Sequence, residues 1–241
     1  MKSTERRHLK DNELAQLAAR SRQVIEERKS QLTWITGAIV AFAVIAGGYF
    51  FWRSSVANQA NRLLADARIV EEAPVGPITD PKAADNRLRF PDGTAKVQAA
   101  VTKYKGVADA YPSTDAGIFA RYREATGYMF LGQPAQAAAA FQQVIDRNGN
   151  GIYGQMAKLG LAQAEARSGA LDKAIATYQS LADQKDGPLP VDGVLIELGR
   201  AYVEAGKTTE AQQTFNRVVT EFPDSQFLPE ARQQLDSLKK A

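Results

Sequence analysis

The side chains that most often perform catalysis are scarce in this sequence. None of its 241 residues is cysteine, and the single histidine, His8, lies among the first ten residues. Thiolate chemistry, disulfides and cysteine-bound zinc are therefore excluded, and residues 9–241 contain no imidazole for proton transfer or metal binding. The remaining carboxylates, hydroxyls and amines form no Gly-rich phosphate loop, Ser–His pair or acidic cluster. We expect a protein that is not an enzyme and that uses no cofactor.

One short segment partly matches a calcium-binding loop. Asp146, Asn148, Asn150 and Gly151 occupy the first, third, fifth and sixth positions of an EF-hand loop. The twelfth position, where a glutamate should supply two oxygens, is Ala157. We therefore predict no metal site, and interpret the segment as a turn in which Gly and Asn adopt positive φ angles.

An uncharged segment between Lys29 and Arg53 predicts a transmembrane helix. Residues 34–52 read WITGAIVAFAVIAGGYFFW, close to the ~20 residues that cross a bilayer as a helix. Aromatic residues at both ends suit the two membrane interfaces. No small-x-small cleavage site follows, which favours an uncleaved anchor over a signal peptide. The predicted domains are a leader at 1–33, the membrane helix at 34–52 and a third domain at 53–241.

Charge is concentrated before the membrane segment. Residues 1–29 contain eight Lys/Arg and five Asp/Glu, so the leader carries the whole net charge of +3. The rest of the chain shows no basic stripe, and we expect no nucleic-acid partner. Four Lys/Arg lie in residues 19–33 and two in 53–67, which predicts a cytoplasmic N-terminus. The leader is amphipathic and could dock a partner, lie on the inner leaflet or remain solvated.

Small residues follow one face of the membrane segment. Gly37, Ala41, Val44 and Gly48 share this face, and small side chains let transmembrane helices approach closely. A homodimer through this face is one hypothesis, and a chance pattern is the other.

The C-terminal domain repeats with a period of 37 residues. Alanines and aromatic residues both recur at this step. The alanines are Ala100, Ala137, Ala174 and Ala211, and the aromatic residues are Tyr104, Phe141, Tyr178 and Phe215. A fixed period of this size predicts a solenoid of stacked helix pairs, in which a glycine such as Gly206 ends the first helix of a pair.

The last repeat resembles the tetratricopeptide repeat at every position of Gly199-x2-Tyr202-x8-Ala211-x3-Phe215-x7-Pro223. The preceding unit departs from that pattern at Glu165, which replaces an aromatic residue, and at Asp186, which replaces a proline. The period exceeds the family's usual 34 residues by about three, so we expect longer turns. The predicted fold is all-α, with an N-terminal single transmembrane helix followed by an α-solenoid of tetratricopeptide-like helix pairs.

The first repeat lacks its first helix. Four prolines between residues 74 and 91 predict a loop at 73–93, and disorder is the favoured interpretation of a loop of this length. We predict that residues 54–72 supply the missing helix, since Val56, Ala60, Leu63, Ala67 and Val70 form a helical apolar stripe. Residues 225–240 have the pattern of a capping helix at the other end.

The resemblance implies a binding groove along the first helix of each pair. Its positions in this sequence are Phe119, Tyr122, Met129, Phe130, Gln163, Arg167, Arg200 and Glu204. The groove should be apolar toward its N-terminal end and more charged toward its C-terminal end. Phe119, Tyr122 and Phe130 could instead pack against residues 54–72, and the sequence leaves both interpretations open.

The whole arrangement resembles one bacterial family. A short leader, one span and an external repeat domain are typical of the ancillary SecYEG translocon subunits, whose repeat domain is also likened to that of a cell-division coordinator protein. The segment Arg7-His-Leu9-Lys10-Asp-Asn-Glu13 fits this resemblance. It implies a single-pass protein of the bacterial inner membrane with a periplasmic domain, and partners among translocon subunits, secreted chains and periplasmic chaperones. A structural scaffold for cell division or outer-membrane assembly, and a cytoplasm-facing receptor, are the alternatives.

Overall fold

A computed structural model describes residues 29–77, 88–184 and 187–240. Over these ranges the chain is all-α, as predicted, apart from one isolated β-bridge between Val75 and Phe90. The helices are α1 (Lys29–Glu72), α2 (Gly93–Ala110), α3 (Asp115–Phe130), α4 (Pro134–Asn148), α5 (Ile152–Arg167), α6 (Leu171–Ala182), α7 (Val191–Glu204), α8 (Thr208–Glu221) and α9 (Leu228–Lys240).

The chain divides into two compact units between Ser55 and Val56. In the first unit, α1 exposes the large apolar side chains of its segment from Trp34 to Trp52. Helix α1 is long and apolar enough to cross a membrane by its length and composition, and a signal sequence near an N-terminus meets the same criterion. The hypotheses on the leader at residues 1–28 lie outside the described residues.

The second unit stacks three helix pairs, α3–α4, α5–α6 and α7–α8. The alanines with a 37-residue spacing, Ala137, Ala174 and Ala211, are completely buried, and the aromatic rings four residues later are almost completely buried. A methyl group at each alanine lets two helices cross closely, and the ring fills the space beside the crossing. The predicted α-solenoid of tetratricopeptide-like pairs is confirmed.

Glycines end the first helix of each pair. Gly132, Gly169 and Gly206 have φ angles of 68°, 79° and 71°, the left-handed conformation that glycine adopts at no steric cost. The chain then reverses and the second helix of each pair begins two residues later.

Residues 56–72 of α1 take the place of the missing first helix. Ala60, Leu64, Ala67 and Val70 are buried in one cluster with residues of α2 and α3. The expectation for Leu63 was wrong, because its side chain is 42% exposed. Leu63 and Leu64 lie on either side of the stripe through Ala60 and Ala67. The orientation of α1 about its own axis buries Leu64 against the cluster and leaves Leu63 exposed.

The segment that resembles a calcium loop is a turn without positive φ angles, so that part of the prediction was wrong. Asp146 and Asn148 belong to α4, and Gly149 and Gly151 have φ angles of −56° and −79°. Glycine is needed for close approach at Gly154, in the first turn of α5, because a Cβ atom there would lie 1.8 Å from the backbone carbonyl oxygen of Asn148.

The additional residues of the period are distributed unevenly. The connection between α4 and α5 is only residues 149–151, while α3 and α5 each have 16 residues. The connection between α6 and α7 spans residues 183–190. Longer turns were therefore the right expectation only for the second of these connections. Asp186 and residues 78–87 of the predicted loop lie outside the described residues.

Candidate partner-binding groove

The first helices of the three pairs line one surface. Successive members α3, α5 and α7 contact each other directly. We call this surface the groove, and it contains three cavities in a row. We name them the N-terminal, central and C-terminal cavities. Thr126 lines both the N-terminal and the central cavity, and Gln163, 37 residues later, lines both the central and the C-terminal cavity.

The N-terminal cavity lies between the end of α1, α2 and α3, and has a volume of about 250 Å³. Phe130 lines it and is 66% exposed. On its polar side Glu71 binds both the hydroxyl of Tyr104 and the guanidinium of Arg123. Burial, and then the neighbouring Arg68, lowers the pKa of Arg123. Because Glu71 and Arg123 are paired with each other, Lys96 is the remaining charged group of the lining, and the rest of the free surface is mainly apolar.

The central cavity, about 180 Å³, is mainly apolar. It brings together three of the predicted residues, Tyr122, Met129 and Gln163, with Met156 and Leu159 of α5. Flexible thioether side chains adapt to apolar groups of different shapes, so this cavity suits a range of aliphatic or aromatic side chains.

The C-terminal cavity, about 310 Å³, is charged. It contains three more of the predicted residues, Arg167, Arg200 and Glu204, and shares Gln163 with the central cavity. Arg200 is neutralised by Glu197, at 3.0 Å, and by Glu230 of α9, at 2.6 Å. Within the described part of the chain neither Arg167 nor Glu204 makes an ion pair, so both charges remain available to a ligand.

The floor of the C-terminal cavity includes Tyr178, whose side chain is almost completely buried. Burial, and then the charge of Glu197, raises the pKa of Tyr178. The phenol therefore stays neutral at physiological pH, and the charge pattern of the cavity comes from its Arg and Glu residues.

Phe119, Tyr122 and Phe130 have different environments. The sequence leaves open whether they line the groove or pack against residues 54–72. Phe119 packs beneath Arg68 of α1, with the guanidinium carbon 5.1 Å from the ring centroid, and its ring lies 5.4 Å from that of Tyr153. Tyr122 is half-buried beside Phe141 and Tyr153 but also faces the central cavity. Phe130 remains exposed. Phe119 is thus in a core position, Phe130 in a groove position, and Tyr122 in both.

Several groove residues were not predicted from the sequence. Glu71 and Arg123 were missed because α1 replaces the first helix outside the repeat register, where the family pattern gives no position. Leu189 reaches the central cavity from the long connection before α7, and no local pattern indicates that. Glu197 could have been found as an acidic residue three positions before Arg200.

No group of three potential metal ligands occurs within the described ranges. The groove offers apolar surface, the amide of Gln163, the hydroxyl of Thr126, the ammonium group of Lys96 and a few guanidinium and carboxylate groups.

Two segments match models of the tetratricopeptide repeat, residues 122–188 and residues 194–225. They extend from within α3 to just past the end of α8, with a gap at residues 189–193. The first repeat, built on α1 and α2, lies outside both matches, in agreement with its unusual first helix.

Two solved structures, those with TM-scores above 0.5, show the same fold. The chain is similar to a putative kinesin light chain of Podosopora anserina with nearly identical TPR-like repeats, with 15% identity, a TM-score of 0.57, and coverage of 76% of this chain and 87% of the other. A single-residue variant of that protein gives 15% identity, a TM-score of 0.53, and coverage of 76% and 94%. YrrB, a TPR protein with an unusual peptide-binding site, gives 19% identity, a TM-score of 0.43, and coverage of 58% and 75%.

No curated protein matches the chain. Matches to repeat models and two solved repeat structures, together with the helix pairs and their buried 37-residue register, agree on one assignment. The second unit of this protein is an α-solenoid of tetratricopeptide-like repeats.

Proposed function

We propose that this protein is a membrane-anchored adaptor whose groove binds extended segments of other proteins. The proposal rests on the row of three cavities. Their lining includes the exposed side chain of Phe130 and the charged side chains of Arg167 and Glu204, which make no ion pair with other described residues. Exposed apolar surface bordered by polar groups is typical of protein interaction sites. Tetratricopeptide-like repeats favour the same function.

We further propose that the apolar part of α1 anchors the chain in the bacterial inner membrane. The basic leader favours a cytoplasmic N-terminus, which would place the repeat domain in the periplasm. Because the chain has no cysteine, single substitutions report topology cleanly. Ser237→Cys on exposed α9 should react with a membrane-impermeant maleimide in spheroplasts, while Ser3→Cys should react only after lysis. The opposite pattern would overturn the orientation, and a shortened mature chain would show that α1 is a cleaved signal.

Within the envelope, the resemblance to ancillary translocon subunits supports a chaperone-like role beside the translocon. The test is photo-crosslinking in living cells from position 130, with the captured proteins identified by mass spectrometry. The matched control is position 143, which is exposed on α4, on the second helix of the pair. Translocon subunits, chaperones and a spread of secreted chains captured from position 130 alone would support the role.

The same experiment separates the adaptor from a structural scaffold. A single recurrent envelope protein of the division or outer-membrane assembly machinery, with no secreted chains, would contradict the chaperone-like role and favour the scaffold. Equal capture from positions 130 and 143 would contradict binding in the groove.

A further inference from the structure

The spacing of the three cavities restricts the conformation of a bound segment. The cavities follow successive first helices that contact each other, and packed helices have axes about 8–10 Å apart. In a β-strand, side chains three residues apart point to opposite faces. In a polyproline II helix every third side chain shares a face, at intervals of about 9 Å. Of these two extended conformations, the second presents a side chain to each cavity in turn.

The lining of the cavities restricts the chemistry of those side chains. The N-terminal cavity presents Phe130 and Val97, with Lys96 as its charged group that makes no ion pair to a described residue. The central cavity presents Met129, Met156 and Leu159. In the C-terminal cavity Arg200 is held by Glu197 and Glu230, which leaves, among the described residues, one unpaired cation, Arg167, and one unpaired anion, Glu204. Arg167 reaches toward α3 and the central cavity, whereas Glu204 lies one repeat further on, in α7. Two apolar side chains followed by one carboxylate therefore complement the row.

Gln163 lies where it can hold the backbone of such a segment. Its side chain borders both the central and C-terminal cavities and makes no hydrogen bond to other described residues. A polyproline II backbone has no internal hydrogen bonds, so its amide and carbonyl groups are free to pair with the amide of Gln163.

Arg167 is placed to meet a side chain of a segment that passes through the groove. Its guanidinium donates a long hydrogen bond, 3.4 Å, to the carbonyl oxygen of Met129 and therefore reaches back toward α3. This position, beside the central cavity, suits a side-chain carboxylate within a longer segment.

We propose that the groove selects polyproline II segments within partner proteins that carry bulky apolar residues at two positions three apart and an acidic residue three further along the same face. This inference rests on the protein-binding function proposed above and specifies its ligand. Polypeptide chains without stable structure visit this conformation often, so unfolded partner segments can present the motif.

Spacing is tested with dye-labelled 13-residue peptides and the full chain in detergent, by fluorescence anisotropy. One peptide carries Leu, Leu and Glu at intervals of three in a Pro/Ser/Asn background, a second has the reverse order, and a third has the same composition with intervals of two. We expect one of the first two to bind at least about tenfold more tightly than the third, because each misplaced Leu loses the burial of its side chain in a cavity. Equal affinity of all three would overturn the inference.

Recognition of the acidic residue of the segment is tested by reversing the charge at position 167. Arg167→Glu should weaken the Glu-containing peptide about tenfold, as loss of a charge-assisted hydrogen bond implies, and should strengthen a matched Lys-containing peptide. The control Arg147→Glu, on the exposed face of α4, should change neither. Unchanged binding in Arg167→Glu would overturn the role of this residue.

Failure of the inference is distinct from failure of the proposed function. If cellular partners crosslink from position 130 but the peptides show no dependence on spacing or on Arg167, the groove binds proteins and the motif is wrong. Binding that requires a free peptide C-terminus, and is lost when the C-terminus is amidated, would likewise overturn an internal segment as the ligand.

Discussion

At the residue scale, the tightest contacts of the fold lie where helices cross. A Cβ atom on Gly199 of α7 would lie 2.5 Å from Cε1 of Phe215 in α8. Gly106, inside α2, has nothing within 4 Å of the same position. We expect Gly199→Ala to lower the free energy of unfolding by about 1–3 kcal/mol through overpacking.

The control Gly106→Ala should raise the stability by about 0.5–1 kcal/mol, because alanine loses less backbone entropy in a helix. Denaturant unfolding of the full chain in detergent, followed by circular dichroism, measures both changes. An unaltered stability of Gly199→Ala would show that the crossing of α7 and α8 is looser than described.

A second residue-scale prediction concerns Glu165, which replaces the aromatic residue of the repeat pattern. Its Oε2 atom is buried and has no hydrogen-bond partner among the described residues. Burial raises the pKa of this carboxyl, and Lys173 partly opposes the rise. The folded state therefore binds the proton more tightly than the unfolded state, whose pKa is near 4.5, and this contribution to stability is lost as pH rises through the folded pKa.

Glu165→Gln removes that titration. We expect it to raise the stability at pH 7 by about 1 kcal/mol, because an unpaired buried amide costs less than an unpaired carboxylate, and the gain should disappear below about pH 4.5. Unfolding measured from about pH 4 to 7.5 tests this, with Asp236→Asn on exposed α9 as the control. A gain that is independent of pH would show that ionisation of Glu165 is not the cause.

Residues in register with the 37-residue period were predictable, and those outside it were not. Ala174, Tyr178 and Gly206 have the burial or the φ angle that their repeat positions require. Leu63 and Leu64 could not be distinguished, because consecutive helical residues are about 100° apart and these two therefore fall toward opposite edges of a stripe about 100° wide.

At the element scale, the replacement of the first helix by residues 56–72 can be tested directly. Ala67 is completely buried in the contact with α2, whereas Ala65, two residues earlier, is exposed. We expect Ala67→Asp to lower stability by about 3 kcal/mol or more, since it buries an unpaired carboxylate. Ala65→Asp should change it by no more than about 0.5 kcal/mol.

Hydrogen exchange of residues 56–110 in the full chain is the measurement, because loss of this contact should expose α2 selectively. Equal protection in the two variants would show that residues 56–72 are not part of the solenoid.

Helices and groove positions within the repeats could be predicted because each pair presents equivalent positions every 37 residues. The environment of Phe119 could not, since it depends on Arg68 of α1, which is distant in sequence and outside the repeat register. The same holds for Leu189, whose contact with the central cavity depends on the path of a connection rather than on helical periodicity.

At the scale of the whole molecule, one chain combines an apolar helix able to cross a membrane with a repeat solenoid, and the basic excess lies in the leader. Because the repeat solenoid and its groove lie in residues 56–241, we expect partner binding to reside in this part of the chain. Partner capture should therefore depend on the groove wherever the anchor places the domain.

The measurement that tests this most directly is a crosslinking scan of the full-length chain in its membrane. A photoreactive residue is placed in turn at 130, 167 and 204, which share one repeat position on the groove, and at 142, 179 and 216, which are exposed on the second helices of the pairs. We predict partner crosslinks from the first set, recurring every 37 residues, and background from the second. Equal yields from the two sets, or higher yields from the second, would contradict a binding groove on α3, α5 and α7.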